Sequence, residues 1–432
     1  MRSPIRGYGV PLLVAALCSP VVPALADTPQ TAVQVAASPV TAEPELTLEE
    51  AIRLALAHNP ELANAKLEIQ AMEGLEIQAG ARPNPEIGVL VEDTRTATRT
   101  TTLQWVQPIE LGGKRAARLA AAARALDQAQ VGLQAKQAET RAAVTSAYFE
   151  VLGAQEQVRL VQASLELARH ATGIASKRLQ AGKVPPLEQA KAQVAESGVR
   201  AELAQSQSEL QLARQRLSAF WGQGKIAFGR VSGDAEALPN MPHEQQVNAL
   251  LSQAPAIRLA QLDIVRRQAL SDGERAKRVP DLSVTLGAKR ANDLGRTQAV
   301  MGLSIPLPIG DSNQGNLLEA LRREDQARET LTATTLKLQS DVSQAMEKLR
   351  LTREQVQMLR AEVLPSAQSA YDAAAKGYEL GKFAFLEVLD AQRTLFQLRQ
   401  QMLRSTAEAY RAAGDLDRLL GQDARPTGQN QE

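Results

Sequence analysis

The sequence predicts a mainly α protein with a small β part: two copies of one unit, each a long antiparallel helical hairpin tied to a strand hairpin. Three observations predict it. Residues 113–181 hold no proline and carry apolar residues at sevenfold spacing, the signature of side-by-side coiled-coil packing. Landmarks in the first half return in the second at a near-constant offset. Between the helical stretches lie short segments in which apolar and polar residues alternate.

Composition supports long helices over compact β-rich domains. Only 3% of the 432 residues are aromatic, while Ala, Leu, Gln, Glu and Arg dominate. The balance of 49 Lys+Arg against 48 Asp+Glu lacks the basic excess of a nucleic-acid binder. One Cys and three His (His58, His170, His243), far apart, leave no ligand-spaced metal cluster. No phosphate loop, nucleophile elbow or zinc motif occurs, so no catalytic residue, cofactor or metal site is expected.

The elements follow in order. Arg2 and Arg6, an apolar run from Val10 to Cys18 and Ala24-Leu25-Ala26 read as a secretory signal ending at Ala26. Cys18 raises a lipoprotein alternative, but Leu17 stands where an acylation signal wants a small residue. Cleavage after Ala26 would leave a mature chain without a thiol, and residues 27–46 read as a flexible lead-in. The first copy spans 47–222, a linker 223–242, the second copy 243–422, and a flexible tail 423–432.

The offsets define the copies. Asn59-Pro60 aligns with Ala254-Pro255, and Pro85-Glu86-Ile87 with Pro280-Asp281-Leu282, at 195. Pro108 to Gly112 aligns with Pro306 to Gly310 at 198, and Gly182-Lys183 with Gly381-Lys382 at 199. In the first copy Thr47, with Glu50 as its capping-box partner, caps a short helix, and Pro60 opens a second helix before the strands. Strands are expected over about 85–108 and 280–306. Ile87, Val89 and Val91 alternate there, as do Leu282, Val284, Leu286 and Ala288. Ala299, Met301, Leu303 and Ile305 do so in the return strand.

The long helices are expected over 113–181 and 314–380, with return helices over 187–221 and 386–421. Leu119, Leu126 and Leu133 form one heptad run; Val144, Val151, Val158 and Leu165 form another, repeated at Val342, Leu349, Val356 and Val363. The Lys/Arg-rich stretch Arg115–Arg124 reads as a solvated helix face.

Apolar-out, polar-in strands of nine to eleven residues suit a membrane barrel, and equally a half-buried soluble hairpin. No helical segment approaches the roughly 18 apolar residues a spanning helix needs. If the strands cross a membrane, four cannot close a barrel, and lipid satisfies no open sheet edge. Cyclic association of three copies would give twelve strands.

At this point the residues resemble the TolC-like outer-membrane efflux channels, over essentially the whole mature chain from Thr47 to Gln422. Gln107-Pro-Ile-Glu-Leu-Gly-Gly-Lys-Arg115 is similar to the signature of the cobalt–zinc–cadmium branch. The resemblance implies a homotrimer with a twelve-strand barrel in outer-membrane lipid above a periplasmic α-helical tunnel. It implies a periplasmic adaptor and an inner-membrane pump of the proton-driven RND class as partners, with divalent heavy-metal cations as cargo. A multidrug or protein-export channel is the runner-up. A periplasmic adaptor has a single helical hairpin flanked by β domains, and a coiled-coil scaffold needs neither signal nor strands.

The joints between strands and helices are expected at Pro85, Pro108, Gly112, Gly113, Pro280, Pro306, Pro308 and Gly310. The hairpin tips are expected at Gly182, Lys183, Gly381 and Lys382. By resemblance the second tip lines the periplasmic mouth. Tyr378 matches the family's gate tyrosine, Glu387 and Asp390 its constricting acids, and Glu188 the acid of the first hairpin. Glu387 and Asp390, three apart, share a helix face and read alternatively as helix-start acids favoured by the dipole. Phe383 occupies the position of the family's gate arginine, with Lys382 beside it.

Overall fold

A computed structural model describes residues 45–222, 226 and 228–421. The expected signal segment and Cys18, most of the lead-in and the tail from 423 lie outside the described residues. The first copy runs β1 (Glu45–Leu46), α1 (Leu48–His58), α2 (Pro60–Gly80), β2 (Glu86–Glu92), β3 (Thr100–Ile109), α3 (Lys114–Gln180) and α4 (Pro186–Ala219). After β4 (Arg230–Val231) the second runs α5 (Glu244–Leu251), α6 (Pro255–Lys277), β5 (Leu282–Ala291), β6 (Arg296–Ser304), α7 (Gln314–Met358), α8 (Leu364–Glu379) and α9 (Phe385–Leu420).

Local chemistry explains the boundaries. The Thr47 hydroxyl accepts the Glu50 N–H at 3.2 Å and starts α1. Asn59 caps α2 by accepting from Glu61 and Leu62, with Pro60 in the first turn, where its missing donor costs nothing. α3 extends 67 residues, about 100 Å at 1.5 Å per residue. Its counterpart is not one α-helix: a π-helical turn, Leu359–Val363, separates α7 from α8. Pro365 lies in the first turn of α8, and the widened turn before it absorbs the ladder bond proline cannot donate.

The heptad residues divide by position. Val144, Val151, Leu165, Val342, Leu349 and Val356 are buried, as coiled-coil packing requires. Leu119, assigned to the first heptad run, is instead 38% exposed, and near it Val131 and Ala138 supply the buried positions. The reason is a change of partner: this stretch of α3 packs on α2 and α6, while farther along α3 packs on α4 and α9.

The four longer strands make one antiparallel sheet in the order β2-β3-β5-β6, with β2 and β6 as its edges. The register stacks like with like. Ile87, Trp105, Leu286 and Met301 form one row, and Val89, Leu103, Ala288 and Ala299 the next. This face is exposed, with Ile87 at 76% and Met301 at 80% accessible. The opposite face carries Gln104, Thr102, Lys289 and Gln298, with Leu90, Val106 and Val300 as apolar exceptions. β6 ends at Ser304, so Ile305 falls just outside the ladder.

Within the expected linker 223–242, the segment from Phe228 on is held down, as is the end of the lead-in. Glu45–Leu46 pairs in parallel with Arg230–Val231, and Phe228 and Val231 are buried among Val144, Tyr148, Val151, Leu217 and Trp221. The Gln155 amide acts as a substitute strand: its Oε1 accepts the Val231 N–H at 2.8 Å and its Nε2 donates to the Val231 carbonyl at 3.0 Å. The Tyr148 hydroxyl donates to the Leu46 carbonyl at 2.9 Å. Composition cannot reveal this strap, because two-residue strands leave no periodicity.

Gln155→Ala strands both Val231 backbone groups, at a cost of about 1–3 kcal/mol. Limited proteolysis should then cut the 228–242 segment at least about tenfold faster than in the parent chain, with the helices intact. An unchanged rate would show that the apolar contacts alone hold the strap.

Candidate functional site: strand-to-helix joints and hairpin tips

The first joint spends every polar group of the Gln107–Arg115 stretch on geometry. Gln107 Nε2 donates to the Pro83 carbonyl at 3.1 Å, tying β3 to the segment before β2. Pro108 lies inside β3, not at its end: it pairs with Ser283, beyond the last β2 partner at Val106. There β3 has outrun its neighbour, and an edge position tolerates proline. Gly112 and Gly113 both have positive φ, 71° and 79°, and Gly113 caps α3. A Cβ on Gly112 would lie 2.7 Å from Val279 Cβ and 2.8 Å from the Ala276 carbonyl oxygen; one on Gly113 would meet nothing.

Charge then locks the joint across the two copies. Lys114 Nζ contacts Asp281 Oδ1 at 2.7 Å, and the same oxygen accepts the Leu111 N–H at 3.0 Å. Burial pushes the Asp281 carboxyl up, but Lys114 and the Leu111 amide outweigh it, so its pKa lies below the ordinary aspartate value. Arg115 and Arg118 are exposed, as a solvated face requires, and are also engaged at the joint. Arg115 Nε donates to the Gly80 carbonyl at 2.6 Å and Arg118 Nη2 to the Ala81 carbonyl at 3.2 Å, while Arg118 also pairs with Glu110. α2 has no basic residue in its last turn, so cations from α3 cover its carbonyl end.

The second joint is built differently. Gly310 does not adopt positive φ; the left-handed residue is Asn313, at 58°, which caps α7. Its Nδ2 donates to the Glu274 carbonyl at 2.9 Å and to Glu274 Oε2 at 2.7 Å. Asn tolerates this region better than other side-chain-bearing residues, so glycine was the wrong signal to seek. Pro280 precedes β5, and Pro306 and Pro308 follow β6.

Both tips end their long helix in one motif. Gly182 has φ 68° and Gly381 φ 72°. The Lys183 N–H reaches the Arg178 carbonyl at 2.9 Å, and the Lys382 N–H the Gly377 carbonyl at 2.8 Å. Phe383 folds back on Gly377, where an added Cβ would sit 2.1 Å from its ring and force the ring to move. Lys183 and Lys382 are exposed.

Tyr378 is 6% exposed and packs with Ala175 and Ala192 of the first hairpin and Ala374 and Val388 of the second. The Arg178 guanidinium lies 4.4 Å from its ring centroid and donates from Nη2 to its backbone carbonyl at 3.2 Å. The sequence reading missed Arg178, because it comes from the other copy, 200 residues away. Glu387 and Asp390 are exposed on the first turns of α9 and Glu188 is half-exposed on α4; among the described residues none of the three forms an ion pair.

Long helical hairpins joined to a sheet with an exposed apolar face define the architecture of an outer-membrane channel subunit. The chain belongs to the outer membrane efflux protein family, which it matches over residues 51–223 and 247–422. It is 43% identical to the cobalt-zinc-cadmium resistance protein CzcC of Cupriavidus metallidurans, over 87% of this chain and 90% of that one. It is 26% identical to the nickel-cobalt-cadmium resistance protein NccC of Alcaligenes xylosoxydans xylosoxydans, over 70% of each. Its fold matches the crystal structure of CusC with a TM-score of 0.74 at 21% identity, over 87% of this chain and 92% of that one. It also matches the outer membrane protein VceC of Vibrio cholerae with a TM-score of 0.70 at 20% identity, over 87% and 96%.

The joint geometry separates two neighbouring glycines. Gly113→Ala carries only the strain of positive φ, about 1 kcal/mol, whereas Gly112→Ala adds overpacking of about 1–3 kcal/mol. Thermal unfolding should therefore place Gly112→Ala well below Gly113→Ala. Equal midpoints would contradict the close packing of Val279 on Gly112.

Proposed function

We propose that three copies of this chain form a passive outer-membrane channel that exports divalent heavy-metal cations delivered by a periplasmic adaptor and an inner-membrane pump. The observation that carries the channel reading is the sheet itself: an exposed apolar face, a polar reverse face and two unpaired edges. In lipid those edges must be covered, and β6 of one copy joining β2 of the next closes twelve strands in a ring with the polar face inward. The helical hairpins continue below it as a tunnel. The chain's role is conduction, with no catalytic step. The cation cargo rests on the 43% identity with CzcC, named for cobalt, zinc and cadmium resistance.

In this reading the periplasmic mouth is the second tip. Threefold symmetry turns Glu387 and Asp390 into two stacked rings, with Glu188 supplying an outer acid, and such rings attract cations and repel anions. Tyr378 and Arg178 hold the second hairpin against the first within each subunit. Gln189 Nε2 on α4, which donates to Ser176 Oγ at 3.1 Å, braces the first hairpin itself. Opening the mouth then requires the second hairpin to leave Arg178.

Purified protein should run as a trimer in detergent and conduct in planar bilayers. Glu387→Ala with Asp390→Ala should cut cation-over-anion selectivity, while Arg178→Ala should raise the resting conductance without changing selectivity. A monomer, or a conducting trimer in which neither quantity moves, would refute the assigned mouth.

A further inference from the structure

The apolar face of the sheet ends in arginine. Moving away from the helices, its rows are Ile109 with Leu282, then the row of Val284 and Leu303, then those of Trp105 and Leu103. The last row is Val91, Thr101, Arg290 and Thr297. Arg290 is exposed and stands on the same face as Leu286 and Ala288. Arg99 joins it. The Asn292 N–H donates to the Arg99 carbonyl at 3.0 Å, extending the β3–β5 register by one step. Alternation from Thr101 and Leu103 then places Arg99 outward, as the diagonal neighbour of Arg290, about 7–8 Å away.

Neither guanidinium forms an ion pair among the described residues. The acids nearby are engaged elsewhere. Glu92 pairs with Lys289 at 3.2 Å on the opposite face, and Asp93 accepts the Arg95 N–H at 3.0 Å and the Thr98 hydroxyl. Asp293 accepts the Leu294 N–H at 2.9 Å. Arg99 spends one donor on the Thr94 carbonyl, at 3.3 Å, and keeps the rest.

We propose that Arg99 and Arg290 form a phosphate-binding site for the phosphorylated glycolipid of the outer leaflet, one site per subunit. The inference rests on the barrel reading above. From Leu282 to Arg290 the strand rises about 27 Å, or about 20 Å along the membrane normal once tilted as barrel strands are. The pair therefore sits where the apolar band ends and lipid headgroups begin. Guanidinium matches phosphate with paired charge-assisted hydrogen bonds, and the apolar rows below accept the acyl chains. The charge stands on the lipid-facing side, so it meets headgroups and not the solute in the channel.

The test uses the purified full-length trimer in detergent, with lipid binding read by native mass spectrometry. The parent protein should bind diphosphoryl lipid A about tenfold more tightly than the Arg99→Gln, Arg290→Gln double variant. Dephosphorylated lipid A should bind both proteins alike and weakly. Equal binding of diphosphoryl lipid A to parent and variant would overturn the site, as would equal binding of the dephosphorylated lipid to the parent. Phosphatidylglycerol binding as tightly as lipid A would overturn the glycolipid assignment. Arg290→Lys, which retains charge but not the fork, gives an independent reading should the double variant fail to assemble, and its affinity should fall between the two. A parent protein that yields no trimer removes the barrel reading and this site together; a trimer indifferent to lipid phosphate removes only the site.

Discussion

A β-sheet placed in lipid has to satisfy all of its backbone polar groups within protein, and four strands in sequence cannot do so alone. β2 and β6 each leave one side of their backbone unpaired, and the face meant for lipid is a continuous apolar band from Ile87 to Met301. Burying that band in a core would need a layer of helices over it, yet the four helices that adjoin the sheet, α2, α3, α6 and α7, all meet it at one end. In the proposed channel the strands therefore call for both a membrane and neighbouring copies. The rest of the architecture fixes how the two strand hairpins are held relative to the helices.

That positioning happens at the joints, where a strand direction turns into a helix direction. Duplication supplies two joints with the same task, and the chain solves them with different chemistry. The first uses two left-handed glycines, a Lys114–Asp281 pair and arginines that cover the end of α2. The second uses a single left-handed asparagine that ties its own backbone bend to the end of α6 through Glu274. Because Lys114 belongs to one copy and Asp281 to the other, the first joint also clamps the halves together. At the far end, Arg178 and Tyr378 make a second cross-copy contact. The two hairpins are thus tied at both ends by cation-mediated contacts, with coiled-coil packing between.

Much of this was legible in the sequence, because long-range repetition and periodicity report on backbone geometry. The cap at Thr47, the helix start at Pro60, the strand faces, the tip glycines and the duplication all leave signals in the sequence. What escaped was of two kinds. Contacts between the copies, such as Arg178 with Tyr378 and Lys114 with Asp281, join residues far apart in sequence, and no local pattern marks them. Departures from repeat symmetry, such as Asn313 replacing glycine and the π turn before Pro365, are hidden by the alignment that revealed the repeat. Leu119 followed a heptad whose partner helix had changed, so a correct spacing gave the wrong burial.

The central claim is that neighbouring copies cover the two sheet edges. Amide hydrogen exchange on the purified protein in detergent reads this directly, strand by strand. If β2 and β6 are paired with neighbours, their amides should be protected to the same degree as those of the interior strands β3 and β5. Rapid exchange confined to alternate amides of β2 and β6, with β3 and β5 protected, would show open edges and contradict the closed ring.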